Sequence, residues 1–437
     1  MDGKRLAALA IAVAAALRGL RVVVRWDEVS WQYAAYVAPM VEKLREGDLT
    51  ALLDFTGLHP PLYYGLLAAG ELTLPVPLIW MAFSALCSLG AVAVFWKRPV
   101  VAALMATSPI QLAYAAELNN YPLTALVVAA LWALKDRPRA FAALCVVAPW
   151  THGLAGFVAL TLAVLQRNRW AGGALLVATL PLLPGVQALI LEAGTYTQPV
   201  LDLELSFRDF VGRFGLIGAV ALPLAVWGAR MERRVAAGLA LSVAFVAALV
   251  LLRVAAPHQF PYWLAFVPPL ALLVEASGLR RMALGLAVVQ GLWWTAYEAR
   301  RVELIAFDSE RAVDAALERA AAGDGIYLLA PPLRNDDDKG ASSPVLWRFP
   351  PWQRMPAAQP YAFAHDDFRH GQPRTVGDLT VYVNDSVRDE LQQAIAAHDT
   401  LWLVVYEHRE DPRFTKDLAQ RWGPCERFGS DCLWALK

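Results

Sequence analysis

Long apolar runs alternate with short clusters of Lys and Arg over the first two thirds of the chain. Because about 20 apolar residues span the hydrocarbon core of a bilayer, this pattern predicts a polytopic α-helical membrane domain. Eleven transmembrane helices are expected, at residues 5–23, 76–96, 99–116, 121–134, 139–150, 153–166, 171–191, 214–229, 235–253, 260–277 and 282–298. Beyond residue 300 the polar positions are distributed as in a soluble domain. We therefore divide the chain into a transmembrane domain, 1–300, and a C-terminal domain, 301–437.

The Lys and Arg clusters fall at every second junction between the predicted helices. Short cytoplasmic loops carry an excess of these residues, so the side that they share with the N-terminus is predicted to be the cytoplasm. With an odd number of crossings, the C-terminal domain is then extracytoplasmic in this multi-pass protein of the cell membrane. The residues that define the pattern are Lys4, Arg5, Lys97, Arg98, Lys135, Arg137, Arg139, Arg167, Arg169, Arg230, Arg233, Arg234, Arg280 and Arg281.

Residues 26–74 are expected to form one long outward loop. The run 61–74 is apolar, but it is short and contains Glu71, so it is predicted to lie in the membrane interface rather than to cross the bilayer. Amphipathic helices are expected near 29–45 and 61–72. Long loops on a membrane scaffold usually carry function.

Composition supports the membrane prediction and excludes several classes of protein. Of the 437 residues, 57% are hydrophobic and 18% are charged, whereas soluble domains average about 25% charged. The 39 Lys and Arg balance the 39 Asp and Glu, so we expect membrane lipids and no nucleic acid as partners. The sequence contains neither a GxxxxGKS/T phosphate loop nor a GxSxG elbow, which argues against an NTP-driven pump and a serine hydrolase.

The outward ends of the predicted helices hold the unusual polar residues. Asp27 and Glu28 directly follow the first helix, and acids in such a place usually face an aqueous functional cavity. A structural alternative is that Asp27 caps the next helix. His59 precedes Pro60-Pro61, and a proline pair would also serve simply to direct the loop.

Carboxylate and imidazole groups at the outward ends of the predicted helices could bind a metal ion. Asp27, Glu28, His59, Glu117 and His258 are suitable ligands for Zn²⁺ or Mn²⁺. No HxxxH, HExxH or DxD spacing occurs among them. We therefore predict no metal and no cofactor, and a divalent metal stays as the alternative.

Taken together, these motifs resemble the glycosyltransferases of family 39 type, which use lipid-linked sugars and include protein O-mannosyltransferases and bacterial lipid A aminoarabinose transferases. The resemblance covers residues 1 to about 300 and implies the polytopic GT-C fold. Asn120 stands where many relatives carry Arg. The residues that carry the resemblance are Arg18-Gly-Leu, Trp26-Asp27-Glu28, His59-Pro-Pro-Leu-Tyr-Tyr64, Ser108-Pro109, Glu117-Leu-Asn-Asn-Tyr121, Thr151-His152-Gly153, His258-Gln-Phe-Pro-Tyr262 and Pro268-Pro269.

The resemblance implies transfer of a sugar from a polyprenyl-phosphate donor to an acceptor hydroxyl on the outer face of the membrane. The acceptor would be a lipid, a glycan or a protein. Asp27 is the expected general base, with Glu28 as the second catalytic candidate. The departing lipid phosphate needs a cation, for which Arg253 is the first candidate and Arg25 or Arg213 the alternative. The remaining residues expected to bind substrate are His59, Glu117, Tyr121, His258 and Tyr262.

A non-catalytic transporter or flippase with an outer binding domain is the competing interpretation. Transporters often contain internal repeats, whereas this sequence has no evident repeat and collects its polar residues at one face. These features favour the enzyme.

The C-terminal domain has the alternation of a small α/β domain. Its strands and helices are expected at 309–322 (helix), 326–330 (strand), 379–383 (strand), 385–397 (helix), 401–406 (strand), 412–422 (helix) and 428–436 (strand), with an ordered loop or lid at 331–375. This order favours an open, mostly parallel sheet. Cys425 and Cys432 lie outside in the predicted topology, so we expect a disulfide, with reactive thiols as the alternative. Cys87 and Cys145 are expected to be packing residues.

Overall fold

The computed structural model describes residues 2–25, 37–52, 59–73, 77–187, 221–251, 260–305, 308–329, 374–376, 379–384, 389–405, 418–428 and 431–436. They form two compact units. The first unit contains the N-terminal helix and the chain from Met40 to Tyr297, and the second contains Glu298–Lys437.

The first unit is helical. Its segments are rich in Ala and Leu, which favour helices, and in an apolar environment a helix satisfies its backbone groups within one segment. The helices that lie wholly or mostly within the first unit are α1 (Gly3–Arg25), α2 (Ala38–Arg45), α3 (Leu62–Glu71), α4 (Pro77–Ala93), α5 (Pro99–Ala106), α6 (Pro109–Ala113), α7 (Tyr121–Leu134), α8 (Pro138–Thr151), α9 (Gly153–Leu165), α10 (Arg169–Thr179), α11 (Arg233–Leu251), α12 (Val267–Ala276) and α13 (Arg280–Ile305). In the described part of the chain, 3-10 helices occur at Leu49–Leu52, Leu180–Leu182 and Phe260–Phe266, and residues 183–187 and 221–229 are also helical.

The predicted span 99–116 is wrong as a continuous helix. It consists of α5 and α6, separated at Thr107 and Ser108. Ser108 is extended, with φ −61° and ψ 117°, because a residue that precedes proline is sterically disfavoured in the α region. The span predicted at 260–277 likewise begins as a 3-10 helix and becomes α-helical only from Val267.

The predicted short helix at 61–72 is present as α3. Within the described ranges, one helix, Arg169–Gln187, is both long and apolar enough to cross a membrane, with 19 residues and a mean hydropathy of 1.3. Shorter apolar helices lie at Ile79–Ala93, Tyr121–Leu134, Gly153–Leu165 and Trp263–Ala276. The number of eleven crossings stays a prediction.

The basic junctions of the first unit lie together at one end of the helical bundle, which we call the basic end. Arg98 Nη1 lies 3.4 Å from Glu275 Oε2, which joins the start of α5 to the end of α12. Gly238 near the start of α11 packs against Trp132 of α7 and Leu165 of α9. The same end is tied together by contacts between Gly3 and Pro99 and between Gly228 and the backbone at Leu273 and Ser277.

The opposite end of the bundle, the polar end, joins the other termini of the same helices. The Asn120 side-chain amide donates to Thr151 O at 2.8 Å, which links the start of α7 to the end of α8. Trp150 Nε1 donates to Ala178 O at 2.9 Å, which links α8 to the end of α10. The motif residues His59, Glu117 and Tyr121 therefore lie away from the Lys and Arg clusters.

The second unit contains a six-stranded sheet. Its strands are β1 (Gly325–Leu329), β2 (Arg374–Val376), β3 (Leu379–Asn384), β4 (Leu401–Val405), β5 (Glu426–Phe428) and β6 (Asp431–Leu436), in the order β2-β3-β1-β4-β6-β5. Helices α14 (Asp308–Arg319) and α15 (Asp389–Ala397) belong to the same unit.

The prediction of a mostly parallel sheet was wrong. Only the central pairs β1/β3 and β1/β4 are parallel, whereas β2/β3, β4/β6 and β5/β6 are antiparallel. Two residues of sequence separate β2 from β3 and β5 from β6, and a parallel crossover needs about a dozen. The strand predicted at 428–436 is accordingly two strands, β5 and β6.

Both faces of the sheet are covered by apolar side chains. Ala312 and Ala316 of α14 pack with Ile326, Val381 and Val404 on one face. Leu391 and Ala394 of α15 belong to the core on the other face, which also includes Tyr327, Leu403 and Trp434.

The predicted disulfide between Cys425 and Cys432 is confirmed, with a Cα–Cα distance of 5.4 Å. It links β6 to the residue that precedes β5. Cys87 and Cys145 are free and buried, as expected of packing residues.

Candidate functional site

Three aromatic rings from distant parts of the sequence meet at the polar end. The ring centroid of His59 lies 5.9 Å from that of Tyr121 and 5.8 Å from that of His152, and Tyr121 and His152 are 6.0 Å apart. His59 and Tyr121 are half-buried, and His152 is buried. Two imidazoles and a phenol thus form a compact polar group within an apolar helical unit.

Each of the three rings is placed by the start of a helix. His59 stands just before Pro60-Pro61 and α3, and Tyr121 is the first residue of α7. His152 is the N-cap of α9, where its Nδ1 accepts a hydrogen bond from Leu154 N at 3.0 Å. Because Nδ1 acts as the acceptor, a neutral His152 carries its proton on Nε2. His152 is therefore arranged as a hydrogen-bond donor.

Tyrosines surround this group of rings. The Tyr64 ring lies 6.0 Å from His59, and the Tyr114 ring lies 5.2 Å from Tyr121. Tyr63 contacts Tyr64 at 5.5 Å, edge to face. A tyrosine combines a flat apolar surface with a hydroxyl, which suits a site for a ligand that has both apolar faces and hydroxyl groups.

The chain between α6 and α7 is folded by its own polar side chains. The Asn119 side-chain amide donates to the Glu117 carboxylate, and Asn119 Oδ1 accepts from Tyr121 N at 3.0 Å. Thr124 Oγ1 donates to Asn120 O at 2.7 Å. Glu117 is half-buried, so these bonds hold a partly exposed carboxylate close in sequence to Tyr121.

A second set of bonds fixes the Glu117 segment to the preceding helices. The Tyr63 hydroxyl lies within hydrogen-bond distance of Ser84 Oγ and donates to Glu117 O at 3.3 Å. Tyr63 and Ser84 are fully buried. Helices α3 and α4 therefore support the backbone on which Glu117 stands.

Two buried arginines of α1 stabilise the interrupted α5–α6 segment. Arg18 Nη1 donates to Ala106 O at the end of α5, and Arg21 Nη2 donates to Ala113 O at the end of α6. The carbonyl ends of helices carry partial negative charge and lack intrahelical donors. Two guanidinium groups one helical turn apart thus cap two successive helix ends.

Arg18 is held by further bonds to neutral acceptors. Its Nε donates to Ser88 Oγ at 2.8 Å, and its other nitrogens approach Ala14 O and Gln111 Oε1. Arg18 is 1% exposed. Arg18 was singled out only within the motif Arg18-Gly-Leu, and no capping role was predicted for Arg18 or Arg21. The three-residue spacing of Arg18 and Arg21 could have indicated a shared role, because residues i and i+3 lie on the same face of a helix.

The structure brings together only part of the predicted site. His59 and Tyr121 are in contact, and Glu117 belongs to the segment that leads to Tyr121. His152 joins them, although it was named only as a motif residue and not as a predicted site residue. Tyr262 lies in the 3-10 helix Phe260–Phe266. Outside the described residues lie Asp27, Glu28, Arg253 and His258.

Among the residues that the structure describes, no group of three or more His, Cys, Asp and Glu side chains could hold a metal ion.

Comparison with known proteins gives a match in structure but not in sequence. No protein-family model matches the sequence, and no curated protein sequence matches it. The crystal structure of ArnT from Cupriavidus metallidurans in the apo state matches with a TM-score of 0.53 and 13% identity, over 98% of this chain and 97% of that chain. The crystal structure of the same ArnT bound to undecaprenyl phosphate gives a TM-score of 0.47 and 12% identity, over 98% of both chains. The likeness predicted from the sequence motifs is therefore confirmed at the level of the fold: this chain has the fold of ArnT, an aminoarabinose transferase of the GT-C class of polytopic membrane proteins.

Proposed function

We propose that this protein is an integral membrane glycosyltransferase that moves a sugar from a polyprenyl-phosphate donor to an acceptor hydroxyl at the outer face of the membrane. The observation that carries the proposal is the fold, which matches that of ArnT over almost the whole of both chains. A second observation supports the proposal, because three of the motif residues, His59, Tyr121 and His152, lie within 6.0 Å of one another.

The polar end suits a sugar better than it suits a nucleotide. Its rings offer flat apolar faces, and its tyrosine and histidine side chains offer polar atoms for hydroxyl groups. The sequence contains no phosphate-binding loop of the GxxxxGKS/T type, which supports a lipid-linked donor over a nucleotide sugar. His152, whose neutral ring is arranged as a donor, suits a sugar hydroxyl or a phosphate oxygen.

The proposed reaction is a direct displacement at the anomeric carbon. Asp27 accepts the proton of the acceptor hydroxyl, whose oxygen forms the new bond to the anomeric carbon. The bond to the lipid phosphate oxygen breaks, its electrons stay on the phosphate, and the configuration inverts. Arg253 would stabilise the departing phosphate. Glu28 is the alternative base.

The remaining motif residues would orient the substrates. We assign substrate contacts to His59, Glu117, Tyr121, His258 and Tyr262. Support for Glu117 comes from its hydrogen bond with Asn119, which holds the carboxylate in a partly exposed position.

The orientation in the membrane follows from the same arrangement. We propose that the basic end faces the cytoplasm and that the polar end and the second unit face outward. In intact cells, the cysteine of Arg281→Cys should not react with a thiol reagent that cannot cross the membrane, whereas the cysteine of Asp399→Cys should react. Both positions are exposed. The opposite labelling pattern would invert the topology and remove the proposed outward site.

The experiment that tests the chemistry separates binding from transfer. Asp27→Asn keeps the size of the side chain and removes the base, so it should retain donor lipid but transfer sugar about 100- to 10,000-fold more slowly. Donor retention is measured by mass spectrometry of the purified protein, and transfer is measured with labelled sugar. The matched control, Glu28→Gln, should transfer normally if Asp27 is the base.

Two outcomes would count against this mechanism. A dead Glu28→Gln beside an active Asp27→Asn would move the base by one residue. Normal transfer by both variants would exclude both acids as the base.

Arg253→Ala tests the contact with the phosphate. Loss of both donor binding and sugar transfer in this variant would support that contact, because a charge-assisted hydrogen bond contributes about 1.5 to 3 kcal/mol.

A further inference from the structure

Three tryptophans at the basic end lie on the surface, and each is paired with a neighbouring cation. Lys97 Nζ lies 5.3 Å from the centre of the Trp96 ring, and the guanidinium carbon of Arg169 lies 5.9 Å from that of Trp170. Trp96 is 52% exposed and Trp170 is 77% exposed. Indole rings exposed in this way are favoured at the headgroup level of a membrane, where the ring is apolar and its N–H meets polar groups.

The third pair has the same form at a different junction. The guanidinium carbon of Arg230 lies 5.2 Å from the centre of the Trp227 ring, and Trp227 is 50% exposed. The three pairs stand where α4 ends, where α10 begins and where helix 221–229 ends. All three positions belong to the basic end, which the contact between Arg98 and Glu275 and the packing of Gly238 tie together.

The charge at this end is strongly one-sided. Its six junctions, residues 2–5, 97–98, 135–139, 167–169, 230–234 and 275–281, contain fourteen Lys and Arg against four Asp and Glu. Three of the acids are already paired, since Asp2 lies near Arg5, Asp136 near Lys135, and Glu275 near Arg98. The chain as a whole has no net charge, so the positive charge here is a local feature.

We propose that the basic end binds anionic phospholipid headgroups, with each Lys or Arg of the three pairs contacting a phosphate while the paired indole lies at headgroup level. The helices that end or begin at these junctions also carry exposed apolar side chains, such as Leu86, Val164 and Leu176. A cation at the end of a helix whose apolar side faces lipid lies at the level of the lipid headgroups. This proposal is independent of sugar transfer.

The test uses the full-length protein and two lipids that differ only in headgroup charge. The protein is equilibrated in micelles that contain equal amounts of phosphatidylglycerol and phosphatidylcholine with identical acyl chains, and the retained lipids are counted by native mass spectrometry. We expect preferential retention of phosphatidylglycerol. Because one Lys or Arg near an anionic surface is worth about 5-fold in binding at low salt, Arg169→Gln should reduce that preference by about that factor.

A matched control comes from the second unit. The guanidinium carbon of Arg421 lies 5.1 Å from the centre of the Trp422 ring, so the two residues form the same kind of pair within the second unit. Arg421→Gln should leave the lipid preference unchanged. The combined variant Lys97→Gln, Arg169→Gln and Arg230→Gln should lose up to about 100-fold, and the loss should shrink at high salt.

Three results would overturn the proposal. The first is equal retention of the two lipids by the unmodified protein. The second is an unchanged preference in the combined variant, whose substitutions are at exposed positions and leave the helical core intact. The third is displacement of phosphatidylglycerol by a short DNA duplex at equal charge concentration, which would identify a general polyanion surface.

Discussion

The buried arginine Arg18 offers a direct test of how the helical unit is held together. Arg18→Met keeps a side chain of similar length and removes every N–H donor. Ser88 Oγ, Ala106 O and Gln111 Oε1 then lose a hydrogen bond in a region where Arg18 itself is 1% exposed. Ala14 O also loses its bond from Arg18. Because this carbonyl lies inside α1, where it can accept a backbone hydrogen bond, the lost side-chain bond should matter less.

The magnitude follows from these three acceptors. A buried polar group left without a partner costs about 1 to 3 kcal/mol. The Ser88 hydroxyl can rotate toward another acceptor, so Ala106 O and Gln111 Oε1 dominate. Removal of a buried charge recovers some desolvation energy, and we therefore expect a net loss of about 2 to 4 kcal/mol. Because Ala106 ends α5, the loosened segment leads directly to Glu117 and sugar transfer should fall as well.

The assay is thermal unfolding of the full-length protein in detergent, followed through its tryptophan fluorescence. Arg18→Lys, which keeps the charge and three donors, should lose less stability than Arg18→Met. Arg5→Met is the matched control in the same helix, because the Arg5 side chain is 82% exposed, and exposed substitutions usually change stability by less than about 0.5 kcal/mol. If Arg18→Met unfolds at the same temperature as Arg5→Met, the capping role is wrong.

Three further predictions concern other parts of the molecule. Replacing Cys425 and Cys432 by Ser should lower the free energy of unfolding by about 2 kcal/mol, because the bridge restricts the unfolded chain. Gly70→Ala should destabilise α3 by about 1 to 3 kcal/mol, since a Cβ there would lie 1.9 Å from the Trp80 ring. A hydrogen bond from Arg319 lowers the pKa of Glu426, so this pair should stabilise the second unit above the usual carboxyl pKa and lose that effect as the pH falls through the lowered pKa. Thermal unfolding of Glu426→Gln as a function of pH measures the loss.

Each of these predictions has a control. Denatured protein should take up two alkyl groups without reductant and four after reduction, because Cys87 and Cys145 are free; four groups without reductant would disprove the bridge. Gly172→Ala should be neutral or stabilising, since no atom lies within 4 Å of its Cβ position, and an equal loss at both glycines would refute the packing argument. A stability difference between Glu426→Gln and the unmodified protein that stays constant into acid would refute the ion-pair argument.

The sequence by itself determined the features that depend on local composition. Hydropathy located the helices because the side chains that face lipid or core must be apolar over a whole segment. The motifs of residues 1–300, taken together, indicated the GT-C fold, and the comparison with ArnT supports it. The bridge from Cys425 to Cys432 was predictable because only six residues separate the two cysteines in a domain expected outside.

Only the tertiary structure decided which distant residues meet. Arg18 bonds to Ser88 and Gln111, which are 70 and 93 residues away, and no local pattern specifies such partners. The sheet order was missed because strand pairing depends on crossovers and short hairpins rather than on the apolar character of each strand. A lone histidine such as His152 gives little evidence of a site in the sequence. In the structure His152 lies beside His59 and Tyr121, because three helix starts converge at one end of the bundle. Hydrophobic periodicity depends on residues close in sequence, whereas a site is formed by contacts between residues far apart in sequence.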